Sequence, residues 1–257
     1  LLGKLFSFLP VGNVAFRLNL MSASCAALAV FAFYRWVREW LAREQPAWGD
    51  APLTVAAAMA SLFLAFSRLF WSQALIAEVY ALNALLVVVV LYIFQHWTEG
   101  CASGALLAFM LGIGMGNHLT LLFLLPPMAL DIGSGSRHCL RPSRAVIAGA
   151  AFLAGLGIYL YLPLRAAARP YVNWGDPVAL DRFFWMISGA LYRHYVFALP
   201  LDFLPLRLAK WAGDFVWQFG PWGVMLGLLG LWALAAASRR QALLTGGILA
   251  LYSAYAI

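Results

Sequence analysis

Five stretches of the chain carry no formal charge over nearly a bilayer's width or more: Ala51 to Ser67, Gly100 to Leu130, Ala145 to Leu164, Phe215 to Ser238 and Gln241 to Ile257. Leucine, alanine, phenylalanine and glycine dominate them, and roughly 20 such residues cross the hydrocarbon core as a helix. In lipid no water satisfies a free backbone N–H or C=O, so only helices and closed barrels span. A barrel would read as short alternating segments, which these are not. The expected fold class is therefore all-α, a polytopic transmembrane helical bundle. Charged residues make up 11% of the 257, about half the density of a soluble domain.

The cations mark the joints between these runs. Arg35, Arg38 and Arg43 lie between a first expected span, Val14 to Tyr34, and a second that starts after Pro52. Arg137, His138, Arg141 and Arg144 form a second joint, and Arg239 with Arg240 a third. By the positive-inside rule all three are cytoplasmic. Residues Gly100 to Leu130 are too long for one upright span, and Gly112, Gly114, Gly116, Asn117 and His118 sit at their middle. The reading is two short helices meeting at a non-cytoplasmic turn, with Pro126 and Pro127 kinking the return. The count is then eight passes. The N-terminus and the stretch Leu164 to Gly220 both lie outside. The domain reading is one transmembrane unit over 1–257 with a non-cytoplasmic loop at 164–220 that contains short helices.

The formal charge of +7 forms no compact basic stripe, so a nucleic-acid partner is excluded and membrane lipids are the expected surroundings. Cys25, Cys101 and Cys139 show no paired spacing, which argues against a metal site or a disulfide framework. No Walker, HExxH or GxSxG pattern occurs. The chain opens at Leu1 without methionine and stops at Ile257 inside an apolar run, and so reads as a fragment.

Chemistry is expected where polar groups sit at the non-cytoplasmic ends of spans. Glu78 lies between Ala77 and Val79 at a span's end, where a lipid-facing carboxylate would be costly. It can hold a divalent metal, orient a hydroxyl, or pair with Arg68, Arg165 or Arg193. His118, beside Asn117, can donate to phosphate oxygens or act as a base. Its alternative is a core histidine satisfied by a neighbouring helix. Asn173, Trp174, Gly175, Asp176 and Pro177 form a polar turn suited to holding a sugar by ring face and hydroxyl, or to capping a helix near Leu180. Arg165, Arg169 and Arg193 can grip a lipid-linked phosphate; ion pairs with Asp176 or Asp181 are the competing use.

The runs LLGKLFSFLPVGNVAFRLNLMSA, WSQALIAEVYALNALL and LGIGMGNHLTLLFLLP and the turn YVNWGDP together resemble the membrane family related to protein O-mannosyltransferases. The similarity covers nearly all of the chain up to about Tyr195. It implies a multi-pass glycosyltransferase that takes a sugar, mannose among the candidates, from a polyprenyl phosphate or diphosphate to a protein, lipid or glycan hydroxyl. It implies an essential acid in the first non-cytoplasmic loop, a region that would lie before Leu1. It matches Glu78 to the family's acid in the EVY-like segment, His118 to its histidine after the glycine-rich turn and Asp176 to the acid of the WGDP-like turn, and these three are the expected catalytic residues. From their own chemistry and position Arg68, Asn117, Arg165, Asn173, Trp174 and Arg193 are the expected substrate contacts. A bacterial inner membrane is the expected location. The competing class is a transporter or flippase, which shares a broken intramembrane hairpin and buried Glu and His. A scaffold without chemistry would leave Glu78, His118 and Asp176 far apart.

Overall fold

The run Val87–Val90 is β-branched and would favour a strand in water, yet it lies inside a helix. In lipid a helix satisfies every backbone group internally, and that outweighs side-chain propensity. The computed structural model describes residues 2–133, 139–195, 198 and 200–256. Among them it contains no strand, in accord with an all-α polytopic bundle.

Helix α1 (Leu2–Phe6) leads into α2 (Val14–Glu44), whose first turn is capped by Asn13 accepting from the Phe16 amide at 2.8 Å. Arg17 ties the connection down by donating to the carbonyls of Ser7, Val11 and Gly12. Helix α2 does not end at Tyr34 as expected but continues to Glu44. Its extra turns hold Arg35 against Glu39, and Glu39 also accepts from the Tyr92 hydroxyl, so a helical course satisfies the charges of the joint.

Helices α3 (Asp50–Ala65) and α4 (Arg68–Ala74) meet at a 69° bend, and α5 (Tyr80–Gly100) returns. The uncharged run after it folds back on itself. Helix α6 (Gly104–Asn117) ends at His118, a 3-10 helix spans Leu119–Leu124, and α7 (Leu125–Asp131) completes the return. Cys101 and Cys139 close the base of this hairpin as a disulfide. That corrects the expectation from spacing, because a pairing across 38 residues is created by the fold-back and leaves no local pattern. The three glycines near the turn serve packing. A Cβ on Gly112 would lie 2.4 Å from the Phe152 carbonyl, on Gly114 2.2 Å from Leu121, and on Gly116 2.3 Å from Ile158.

Helix α8 (Pro142–Leu156) crosses α6 at Gly112 and Gly155 and runs through a 3-10 turn into α9 (Tyr161–Ala167). Within 164–220 stand α10 (Leu180–Ile187), 3-10 turns at Ala190–Tyr195 and Leu201–Phe203, and the start of α11 (Leu204–Ala237). Helix α11 thus begins earlier than the expected Phe215, and breaks at Gly220 (φ 68°) before Pro221. Helix α12 (Arg239–Ala256) follows.

By length and composition four helices among the described residues can cross a membrane, or five if α3 and α4 form one broken span. The 14 residues of α6 rise only about 21 Å, so each hairpin arm is shorter than the roughly 30 Å hydrocarbon core. The expected eight passes exceed this number because the hairpin arms and α12 do not meet it. Arg137 and His138 of the second basic joint lie outside the described residues. The main core gathers Val90, Phe94, Leu121, Leu124 and Met128 where α5 meets the hairpin. A smaller one joins α2 and α5 around Cys25, Ala26 and Ala81.

Candidate functional site

The elements place two kinds of chemistry at opposite ends. One end, here the turn end, gathers the start of α5, the α6–α7 turn, the end of α8 and the polar segment beyond it. The other, the arginine-rich end, gathers the C-terminal halves of α2 and α5, the end of α7, and the α11–α12 joint.

At the turn end Asn117 Nδ2 donates to the Val79 carbonyl at 3.2 Å, and the rings of Tyr80 and His118 lie 5.8 Å apart. Two segments distant in sequence are so joined one residue from Glu78. Glu78 itself is exposed, and its carboxylate has no hydrogen-bond or ion-pair partner among the described residues. The expected pairings with Arg68, Arg165 or Arg193 are not formed. Nor do three or more His, Cys, Asp or Glu side chains converge among the described residues in a way that could hold a metal.

His118 Nδ1 accepts from the Thr120 amide at 3.3 Å and lies 2.8 Å from the Thr120 hydroxyl. With Nδ1 as acceptor the neutral ring carries its proton on Nε2. The residue lies in the turn, outside both helical arms, and burial lowers its pKa below the ordinary histidine value. It is therefore a neutral donor at physiological pH.

The 173–176 turn folds as a unit. Asn173 Nδ2 donates to Asp176 Oδ1 at 2.6 Å, and Gly175 (φ 67°) brings the backbone against Trp185 and Met186 of α10. Trp174 and Asp176 remain exposed. The alternative in which Asp176 caps α10 is not realised, because the N-cap is Ala179 and it makes no side-chain bond. At the far end of α10, Gly189 faces Leu119, the residue after His118. The Tyr159 hydroxyl donates to the Met115 carbonyl at 2.7 Å, anchoring the end of α8 at the same turn. No hydrogen bond or ion pair among the described residues joins Asp176 to Glu78 or His118.

Arg68 is held elsewhere. Its guanidinium stacks over Trp217 at 4.9 Å, and the neighbouring Leu69 amide donates to Gln218 Oε1 at 2.8 Å. This ties the α3–α4 bend to α11 just before its break. Arg165 ends α9 and Arg193 sits on a 3-10 turn, not on the helix expected there; both are exposed without ion pairs among the described residues. Sequence reasoning missed Thr120, Tyr80 and two amides. Gln73 Oε1 and Asn83 Oδ1 flank the Glu78 segment, buried and without a hydrogen-bond partner. Their signal was a polar residue at each side of WSQALIAEVYALN, within an otherwise apolar run.

A family model for the protein O-mannosyl-transferase TMEM260 N-terminal domain matches residues 1–136. That region contains Arg68, Glu78, Asn117 and His118 but not Arg165, the 173–176 turn or Arg193. The mouse (Mus musculus) protein O-mannosyl-transferase TMEM260 is 27% identical over 185 residues, covering 68% of this chain and 25% of that protein. The chain thus spans about a quarter of the length of the curated relative it matches. No solved structure matches.

Proposed function

The chain belongs to the family of the protein O-mannosyl-transferase TMEM260 N-terminal domain, and from that premise we propose that it forms part of a membrane glycosyltransferase acting at the turn end of the bundle. The donor is a sugar on a polyprenyl-phosphate-type carrier, with mannose the first candidate. The acceptor is a hydroxyl, of a protein before a lipid or glycan, as the name of the mouse relative suggests. On this reading 1–257 act as one unit, the turn end faces away from the cytoplasm, and residues 164–220 lie on that side.

The observation that carries the reading is the junction of Val79 and Tyr80 with Asn117 and His118. It ties the segment next to Glu78, whose side chain has no partner among the described residues, to a neutral histidine donor. The acceptor oxygen attacks the anomeric carbon while the bond from that carbon to the phosphate oxygen breaks. The phosphate leaves with the electron pair, and the acceptor proton passes to the Glu78 carboxylate. The Nε2–H of His118 and the guanidinium groups of Arg165 and Arg193 donate to the departing phosphate. Trp174, Asn173 and Asp176 hold the sugar by ring face and hydroxyls, and Arg68 and Asn117 keep the bend and the turn in register.

The test is transfer of labelled mannose from a polyprenyl-phosphate donor to a hydroxyl-bearing peptide by the full-length protein, wild type beside Glu78→Gln (E78Q). Transfer by the wild type and its loss in the variant are expected. Equal rates in the two would remove Glu78 from the mechanism. A wild type that uses no lipid-linked sugar, yet carries a polar solute across proteoliposomes, would replace the enzyme with a transporter.

A further inference from the structure

The arginine-rich end encloses a cavity of about 470 Å³, within the size range of small-molecule sites. It lies between α2, α5, α7, α11 and α12, remote from Glu78 and His118. Its walls are apolar and aromatic, with Phe33, Trp36, Phe94 and Leu244 among them. Its polar border offers both signs: Arg43 and Arg240 against Glu44 and Asp131.

This border is built rather than incidental. Asp131 is only 6% exposed and receives Nε and Nη2 of Arg240 at 2.7 and 2.6 Å, a bidentate pair linking α7 to α12. The Trp40 indole N–H donates to Gln241 Oε1 at 3.0 Å, and Gln241 Nε2 donates to Glu44 Oε1 at 2.6 Å. Trp36 is held in turn by Gln95. Bonded at their polar edges, both indoles keep their faces in place against the cavity.

We propose that this cavity binds one membrane phospholipid with a zwitterionic, phosphoethanolamine-type headgroup. An acyl chain fills the aromatic walls, where it removes apolar surface from water. The phosphate meets the guanidinium groups of Arg43 and Arg240. The ammonium meets the exposed carboxylate of Glu44 and the indole faces of Trp36 and Trp40. An anionic headgroup would bring its negative charge up to Glu44 with no cation to offer it, whereas Asp131 already has Arg240. A purely apolar occupant would leave the polar border facing hydrocarbon.

The test uses the full-length protein purified in mild detergent and analysed by native mass spectrometry and thermal unfolding. The wild type should retain one phosphatidylethanolamine through repeated detergent washes and gain several degrees in Tm when that lipid is added back. Phosphatidylglycerol should do neither. Filling the cavity with Thr245→Trp, or with the milder Leu244→Phe, should lower retained lipid at least fivefold and abolish the Tm gain. No retained lipid in the wild type would overturn the proposal without reference to any variant. So would preference for phosphatidylglycerol, or undiminished retention in a filled variant that still folds.

Discussion

At the arginine-rich end charge holds helices together, whereas at the turn end no ion pair links one helix to another among the described residues. Glu39 is shared by Arg35, Tyr92 and His96; Arg38 meets Asp50; Arg240 clamps Asp131. Apart from Arg35–Glu39, which lies within α2, these links join elements: α2 to α5, α2 to α3, α7 to α12. At the turn end Glu78, Arg165 and Arg193 have no such partners among the described residues. The elements there are held without ion pairs: Asn117 on a carbonyl, Tyr159 on a carbonyl, and the Arg68 cation on an aromatic face. A carboxylate bound by arginines is a poor base, because its protonated form would forfeit those partners. A site for chemistry is served by structure that does not consume its charges.

The contrast assumes that the two ends face different compartments, and the Cys101–Cys139 pair tests this in an all-or-none way. The pair sits at the arginine-rich end. If that end faces a reducing cytosol, the two residues are thiols in the living cell and join only on oxidation. Cells quenched in acid, denatured and treated with a maleimide should therefore show both sulfurs labelled. A pair already bonded before lysis would put the arginine-rich end in an oxidising compartment and reverse the threading. The next largest effect is on turnover. E78Q should lower sugar transfer by roughly 10²-fold or more, the usual weight of a general base, and leave Tm unchanged, because no native partner is lost. A fall in Tm comparable to that of an ion-pair variant would make Glu78 a structural residue.

Much of this division was legible in the residues. Uncharged runs set the class, arginines marked one end, and Asn117–His118 marked the turn, because each signal is local. What was not legible depends on contacts across the chain. Helix α2 runs on to Glu44 because Tyr92 and His96, on another helix, complete the satisfaction of Glu39. The glycines before His118 read as part of the turn and prove to be close packing against Phe152, Leu121 and Ile158. Asp176 reads equally as cap or contact; only its partner Asn173 and the Ala179 N-cap distinguish them. The cavity at the arginine-rich end left no trace, since its walls come from five helices.

Replacing Arg240 probes the paired end from the stability side. Arg240→Leu removes the bidentate donor to Asp131, which is 6% exposed, and should cost about 3 kcal/mol, the low end for a broken buried pair. Thermal or denaturant unfolding of the purified protein measures it. A cost below about 0.5 kcal/mol, typical of a surface pair, would erase the distinction between the two ends.

The smallest effect expected is the pH response of His118. Burial lowers its folded pKa, so between that value and the unfolded one of about 6.5 the unfolded chain binds more protons than the folded one. Stability then rises with pH across this window. The contribution is fully present above about pH 6.5 and is lost as pH falls toward the folded value. The wild type should lose more Tm between about pH 7 and pH 5 than His118→Gln, which cannot titrate. Parallel losses in the two proteins would mean that His118 is as well solvated folded as unfolded. The turn would then offer no neutral donor set apart from water, and the difference between the two ends would rest on Glu78 alone.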